Sequence, residues 1–360
     1  MSTVTTDRSE ALAERLFGAT LGALELFSVY LGNELGLYRA LRDGGSATVA
    51  ELAARAGIHD RYAREWLEQQ AVAGLLEVDD AAVPADARRY ALAADHARVL
   101  IEAGDAAHVA PFAHMVAGIG GVIGDVAAAY RTGGGVPYAR YGAAFRHGQG
   151  HINRPAFEQE LPGAWLDAMP AVRGRLDRPG ARVADVGCGQ GFSAIALATA
   201  FPRAQVDGID ADPASIAEAS AFARDAGVAN AAFVTGDATA VRDHGPYDLV
   251  VILEALHDLP HPVETLAAVR DALAPGGAAL VVDERVADAF EAPGDEVERM
   301  MYGWSVTHCL PTQLVDDPTA AIGTVMRAST VRDLAGRAGF GQVAVLPVDN
   351  EFFRLYRLDG

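Results

Sequence analysis

Lysine is absent from the 360 residues: all 29 basic side chains are arginine, set against 48 acids for a net charge of −19. Without lysine there is no Schiff-base amine, no phosphate-loop lysine and no lysine general base. The acid excess opposes a phosphate backbone as partner, although a local basic face needs its own count. Cysteine is scarce. Cys188 and Cys309 alone cannot build a disulfide framework or a four-cysteine zinc centre, and no metal is expected. No apolar run approaches the roughly 20 residues of a membrane span. Asp7, Arg8, Glu10 and Glu14 precede the first apolar stretch, which does not read as a signal peptide. The cytoplasm is the expected compartment, with no membrane partner.

What is present is a globular balance, 51% hydrophobic and 21% charged, in a chain long enough for about two domains. Residues 1–100 read as an N-terminal winged-helix domain, all-helical apart from a short wing. Ala11 to Leu41 carries Leu16, Leu21, Leu24, Leu31 and Leu35 at helical spacing. Thr48 with Glu51 is a capping-box pattern, and Gly57 marks the stop. A second helix follows from about Asp60 to Ala73, and Leu75–Val78 with Arg89–Leu92 suggests a two-strand wing. Residues 101–178 read as a helical linker and lid. Within it Arg131 to Gly150 holds six glycines, one proline and the scattered Tyr138, Tyr141 and Phe145, a loop-like composition.

After Pro179-Gly180 the period changes. Short apolar runs at Arg182–Val186, Gln205–Ile209, Ala232–Thr235, Leu249–Leu253 and Ala278–Val282 alternate with helical stretches, which predicts a parallel sheet covered on both faces. Gly341–Val348 and Phe352–Leu358 add a closing antiparallel hairpin. Residues 179–360 therefore read as an α/β, Rossmann-like domain.

The strongest local signal is Val183-Ala-Asp185-Val-Gly187-Cys-Gly189-Gln-Gly191-Phe-Ser193, running from a strand through a glycine turn into a helix. A dinucleotide fold would place glycine at the sixth position, where Phe192 stands. An acid at that strand tip suits an ammonium or sulfonium ligand better than a pyrophosphate. An ordinary tight βα turn is the plainer alternative. The neighbouring tips weigh against it: Asp210 ends the second strand, Gly236-Asp237-Ala238 follows the third, Glu254 and His257-Asp258 the fourth, and Asp283-Glu284 the fifth. Ligands of open α/β sheets bind outside these carboxyl ends.

On these motifs, with Leu273-Ala-Pro-Gly-Gly277 before the fifth strand, residues 180–360 resemble a class I S-adenosylmethionine-dependent methyltransferase with a seven-stranded sheet. The whole chain is similar to the bacterial group that joins a winged helix to this domain, and to small-molecule O-methyltransferases. The resemblance implies that Gly187, Gly189 and Gly191 line the methionine moiety of S-adenosylmethionine. It puts Asp185 near the cofactor's amino group, Asp210 on the ribose, and Gly236, Asp237 and Ala238 by the adenine, with Glu254 also on the cofactor side. It also makes His257, which opens the His-Asp pair after the fourth strand, the catalytic base. His261-Pro262 departs from the acidic stretch usual in the plant enzymes. An imidazole ordinarily titrates near 6.5, which sets the expected rise of the pH–rate profile at about pH 6–7.

Between Glu284 and Val331 lies an insertion carrying Tyr302, Trp304 and His308, side chains suited to the roof of a substrate pocket or to a plain packed helix. Tyr30 is a further pocket candidate; Phe27, Phe112, His114, Met115, Tyr138 and Tyr141 are weaker ones. The expected partners are a small-molecule acceptor and a second copy of the chain, through residues 1–130. The rival is a regulator that senses S-adenosylmethionine and binds DNA. It needs a basic recognition helix. The 60–73 segment instead sets Arg61 and Arg64 against Asp60, Glu65 and Glu68, and residues 1–100 hold 10 arginines against 15 acids. Nucleic acid is therefore not the expected partner.

Overall fold

A computed structural model describes residues 8–360, in two compact units. Asp7, used above in the leader argument, lies outside the described residues. The first unit takes the residues up to Gly120 with Ala143–Pro155; the second takes Gly121–Gly142 with Ala156–Gly360. The stretch 101–178, read from the sequence as linker and lid, is shared between them.

In the first unit the apolar periodicity of the N-terminal stretch becomes two helices, Arg8–Glu34 and Leu37–Gly44, broken at Gly36 with φ 66°. Helices Val49–Ala56 and Asp60–Val72 follow, the former with the expected Thr48–Glu51 capping box. The wing is a two-stranded antiparallel ribbon, β1 (Glu77–Val78) and β2 (Tyr90–Ala91). Leu37, Tyr38, Leu41, Leu52, Leu67 and Tyr90 are fully buried in one core. Tyr38 donates to Gln70 Oε1 at 2.5 Å, which satisfies two polar groups inside that core. Of the first helix, Leu26 and Tyr30 pack against it, but most of the leucines at helical spacing do not join it. Leu16, Leu21, Leu24, Leu31 and Leu35 are all exposed, with Phe17 beside them.

The loop expected over Arg131–Gly150 is partly helix. Pro111–Thr132 is helical, a 3₁₀ turn runs Tyr138–Tyr141, and Gly142–Gln159 is helical despite its glycines. The reason is close packing: a Cβ on Gly148 would lie 2.7 Å from the Pro111 carbonyl oxygen. By length and composition Pro111–Thr132 is also long and apolar enough to cross a membrane. The sequence reading missed this because Ala and Gly, rather than Leu or Ile, carry much of its apolar character.

The second unit is built on a seven-stranded sheet. Its strands are β3 (Arg182–Val186), β4 (Gln205–Asp210), β5 (Ala231–Thr235), β6 (Tyr247–Leu253), β7 (Leu273–Glu284), β8 (Gln342–Val345) and β9 (Phe353–Asp359). The order is β5-β4-β3-β6-β7-β9-β8. The first five strands are parallel, and β9 pairs antiparallel with both β7 and β8, as the terminal hairpin pattern predicts. Side chains alternate between two cores: Val183, Leu249, Val251 and Leu280 face one, Ala184, Val250, Ile252 and Val281 the other. Burial on both faces explains why these strands read as continuous apolar runs. The chain winds outward from β3 to β5, then returns to start again at β6. The crevice beyond the carboxyl ends of β3 and β6 is the switch point where such sheets bind ligands.

Candidate active site

At the tip of β3, Asp185 is fully buried and accepts a 2.5 Å hydrogen bond from Ser193 Oγ at the start of the next helix. Burial pushes its carboxyl up to about 7. The turn that follows holds Gly187, Gly189 and Gly191 at φ 75°, 50° and 77°, a backbone form open to glycine. Gly191 is fixed by space as well: a Cβ there would stand 2.6 Å from Phe233 and 2.8 Å from Ala219. Nothing lies within 4 Å of a Cβ built on Gly189, so the loop backbone there has open space against it.

Asp210 ends β4 and ties the neighbouring turn. Its Oδ2 accepts from Gly189 N and its Oδ1 from Asp212 N, both at 2.8 Å. Burial raises its pKa. A carboxylate has about four acceptor sites, so two remain for hydroxyl donors. Beyond β5, Gly236 N donates to Asp210 O at 2.9 Å. Asp237 then caps the 3₁₀ turn Ala238–Ala240, its Oδ1 accepting from both the backbone and the hydroxyl of Thr239, which lowers its pKa.

His257 stands in the 3₁₀ turn Leu256–Asp258 after β6, fully buried. Its Nδ1 lies 2.9 Å from Asp283 Oδ1, on the adjacent strand β7, and its Nε2 lies 3.5 Å from Asp258 Oδ1. Gln313 donates to the His257 carbonyl and locks this turn to the insertion. Burial disfavours the imidazolium, yet Asp283 and Asp258 outweigh it and hold the His257 pKa well above 6.5. The ordinary imidazole range expected from the sequence is thus moved upward, because the histidine sits among carboxylates.

Two more acids close this cluster. Glu254, expected on the cofactor side, is held at φ 53° and lies close enough to Glu284, at the tip of β7, for each carboxyl to act on the other. Burial raises both carboxyls, Glu284 to about 7 and Glu254 well above its usual range. Among the described residues, Glu254 Oε1, Glu284 Oε2 and Asp283 Oδ2 are buried without a hydrogen-bond partner.

The insertion forms a helix, Glu296–Trp304, continued by a π turn, Ser305–Cys309, and the short helix Leu310–Gln313. His308 is buried between the rings of Tyr138 and Tyr141, centroids 5.8 and 4.6 Å away, and burial pulls its pKa down to about 4. Tyr141 donates to the Thr307 carbonyl at 2.8 Å. Trp304 is half-buried and Tyr302 exposed. Tyr30 belongs to the first unit, where its half-buried ring meets His114 edge-on at 5.1 Å.

Three members of the His257 surroundings were given no role beside it from the sequence: Asp283, read only as a strand-tip acid, Gln313 and Cys309. For Asp283 a signal existed, an acid ending an otherwise apolar strand. For Gln313 and Cys309 the sequence holds none, since the insertion's path decides what it meets.

Residues 177–325 match a family model described as a methyltransferase domain. Residues 22–102 match the model of an Rv2258c-like winged helix-turn-helix domain. Trans-aconitate 2-methyltransferase of Streptomyces avermitilis is 36% identical over 121 residues, 33% of this chain and 42% of that protein. Ubiquinone biosynthesis O-methyltransferase of Burkholderia pseudomallei is 33% identical over 115 residues, 32% of this chain and 46% of that one. The chain thus spans less than half the length of these curated relatives. Among solved structures, human N-acetylserotonin methyltransferase in complex with SAM aligns with a TM-score of 0.64 at 19% identity, over 100% of both chains. Mitomycin 7-O-methyltransferase MmcR aligns at 0.61 and 20% identity, over 98% of each. At these identities the likeness is one of fold. The α/β sheet expected from the sequence is present, and residues 177–325, which hold its parallel strands, match the methyltransferase model.

Proposed function

We propose that this chain binds S-adenosylmethionine over its glycine turn and transfers the methyl group to a hydroxyl or amine of a small molecule. Bound cofactor would supply a methyl on a sulfonium already activated for in-line displacement. The residues fit it: an open glycine turn, a buried carboxyl at Asp185 to face an ammonium, and Asp210 with two acceptor sites left for ribose hydroxyls. Asp237 and the backbone of Gly236 and Ala238 stand beyond β5 for the adenine.

The observation that carries the reading is the His257–Asp283 pair in the crevice that begins at the glycine turn. Asp283 fixes the ring by holding Nδ1, which leaves Nε2 as the proton acceptor. The acceptor is held while its proton passes to that nitrogen, and positioning supplies most of the rate. Tyr302, Trp304 and His308 roof the acceptor in this reading. The exposed apolar face of helix Arg8–Glu34 supports a homodimer: an uncovered stripe this long on one helix is an association surface. Two free, buried cysteines suit the cytoplasm, where thiols stay reduced.

The DNA-binding regulator is disfavoured by charge pairing. In the helix Asp60–Val72, Arg61 pairs with Glu65 and Arg64 with Glu68, four residues on in each case, so neither is a free phosphate contact. The test is a metabolite extract incubated with methyl-labelled S-adenosylmethionine, followed by mass identification of the labelled product. Tight NAD binding without S-adenosylmethionine binding would refute the reading. Specific retention of genomic DNA fragments at low salt would favour its rival.

A further inference from the structure

We propose that His257, Asp258 and Cys309 form a site for a thiophilic divalent cation of the zinc class, and that the bound ion silences the base. The second half rests on the reading of His257 as the proton acceptor; the first half stands on geometry alone. One ligand atom from each residue, a ring nitrogen, a carboxylate oxygen and a thiol sulfur, lies within 4.8 Å of the other two. His257 Nε2 and Asp258 Oδ1 are 3.5 Å apart. Tetrahedral zinc with ligands at about 2.0–2.3 Å needs edges of roughly 3.3–3.6 Å, so only the thiol must close in, by about 1.5 Å at most.

Burial pushes the Cys309 thiol up to about 12, which the ion must overcome, and three other features favour the site. Asp258 Oδ1 is buried and makes no hydrogen bond among the described residues, an acceptor with its lone pairs unused. Asp283 already holds the far nitrogen of His257 at 2.9 Å, the carboxylate–histidine arrangement that orients metal-binding imidazoles. Gln313, next to the turn that carries Cys309, donates to the His257 carbonyl and fixes the two ligand-bearing turns against each other. A neutral imidazole, a carboxylate and a thiolate suit zinc better than magnesium or calcium. On binding, the Cys309 thiol proton leaves to solvent, and so does a His257 proton where the ring carries one. The Nε2 lone pair then belongs to the ion and cannot take a proton from an acceptor.

The full chain, freed of metal by chelation, is titrated with Co²⁺ and read by absorption. One ion per chain with a thiolate-to-cobalt band in the near ultraviolet is expected, displaced by Zn²⁺. The band should vanish in Cys309→Ser and persist in Cys188→Ser. Asp258→Asn, a mild change at a partly exposed residue, should weaken Co²⁺ binding by about 10–100-fold, and it answers the question if Cys309→Ser fails to fold. Absence of the band, or its survival without Cys309, overturns the site. Turnover of the wild type should fall as Zn²⁺ occupies it; occupancy without inhibition overturns the silencing. Should His257→Ala turn over normally, the base reading fails and the cobalt result is untouched.

Discussion

Replacing Asp283 by Asn keeps the shape of the β7 tip and removes the charge that holds His257. The carboxylate is buried and sits 2.9 Å from His257 Nδ1, so solvent screens little of the pairing. A hydrogen bond to a charged group is worth about 1.5–3 kcal/mol. If all of it is felt as the imidazole takes up the acceptor's proton, turnover falls by roughly 10–150-fold. Loss of the base itself, in His257→Ala, should cost more, about 10²–10⁴-fold. The sign of the pH effect is fixed by the same pair. Asp283 raises the His257 pKa, so the ascending limb of the wild-type rate profile lies above pH 6.5 and moves toward lower pH in the variant. A group whose pKa is raised by folding stabilises the fold below its unfolded value, and that contribution is lost as pH rises through the folded one. The melting-temperature deficit of Asp283→Asn should therefore be largest below pH 6.5 and narrow above it. Initial rates with labelled cofactor give the profile once an acceptor is known. An NMR titration of the His257 ring reads the shift without one. Unchanged turnover, or a His257 titration that stays in place, would refute the assignment of Asp283 as its orienting partner.

Further outcomes follow from the glycine turn and the acids around it. Asp210→Ala should weaken S-adenosylmethionine by about 10–150-fold in calorimetry, from loss of hydrogen bonds worth roughly 1.5–3 kcal/mol. Gly191→Ala should lower the melting temperature and the cofactor affinity together, since a left-handed non-glycine costs about 1–2 kcal/mol before the contact with Phe233 is counted. Asp185 sits at about 7 without ligand, so an ammonium group bound beside it should drive it to ionise. Affinity should then rise with pH up to about 7 and level off, with proton release at pH 6 detected by calorimetry in two buffers. The raised carboxyls of Asp185 and Glu284 should make the ligand-free chain lose thermal stability between the ordinary carboxylate range and pH 7, rather than gain it. Light scattering should find a dimer, and Leu24→Glu with Leu31→Glu on the exposed face of the first helix should return it to the 37.6 kDa monomer.

The parts legible in the sequence are those whose signal is local. A glycine turn is written in glycines because they enter that backbone form at the least cost, and an acid stands out where it ends an otherwise apolar strand. The central parallel strands β3, β6 and β7 were visible because burial on both faces leaves an unbroken apolar run. The helix through Gly148 was not, because what selects glycine there is the approach of Pro111, more than thirty residues away in the sequence. The outward face of the first helix was hidden for a related reason: helical spacing says that leucines share a side, not whether that side is covered.

The same distinction divides the site. His257 announced itself by a short motif, but its pKa depends on Asp283 across the strand pair and on an insertion that returns Cys309 to it. Each of these is a contact over 20 or more residues, which no local pattern encodes. A motif therefore names the group that does the chemistry. The protons it holds, and the ions it can hold instead, are set by side chains that only the folded chain brings within 5 Å of it.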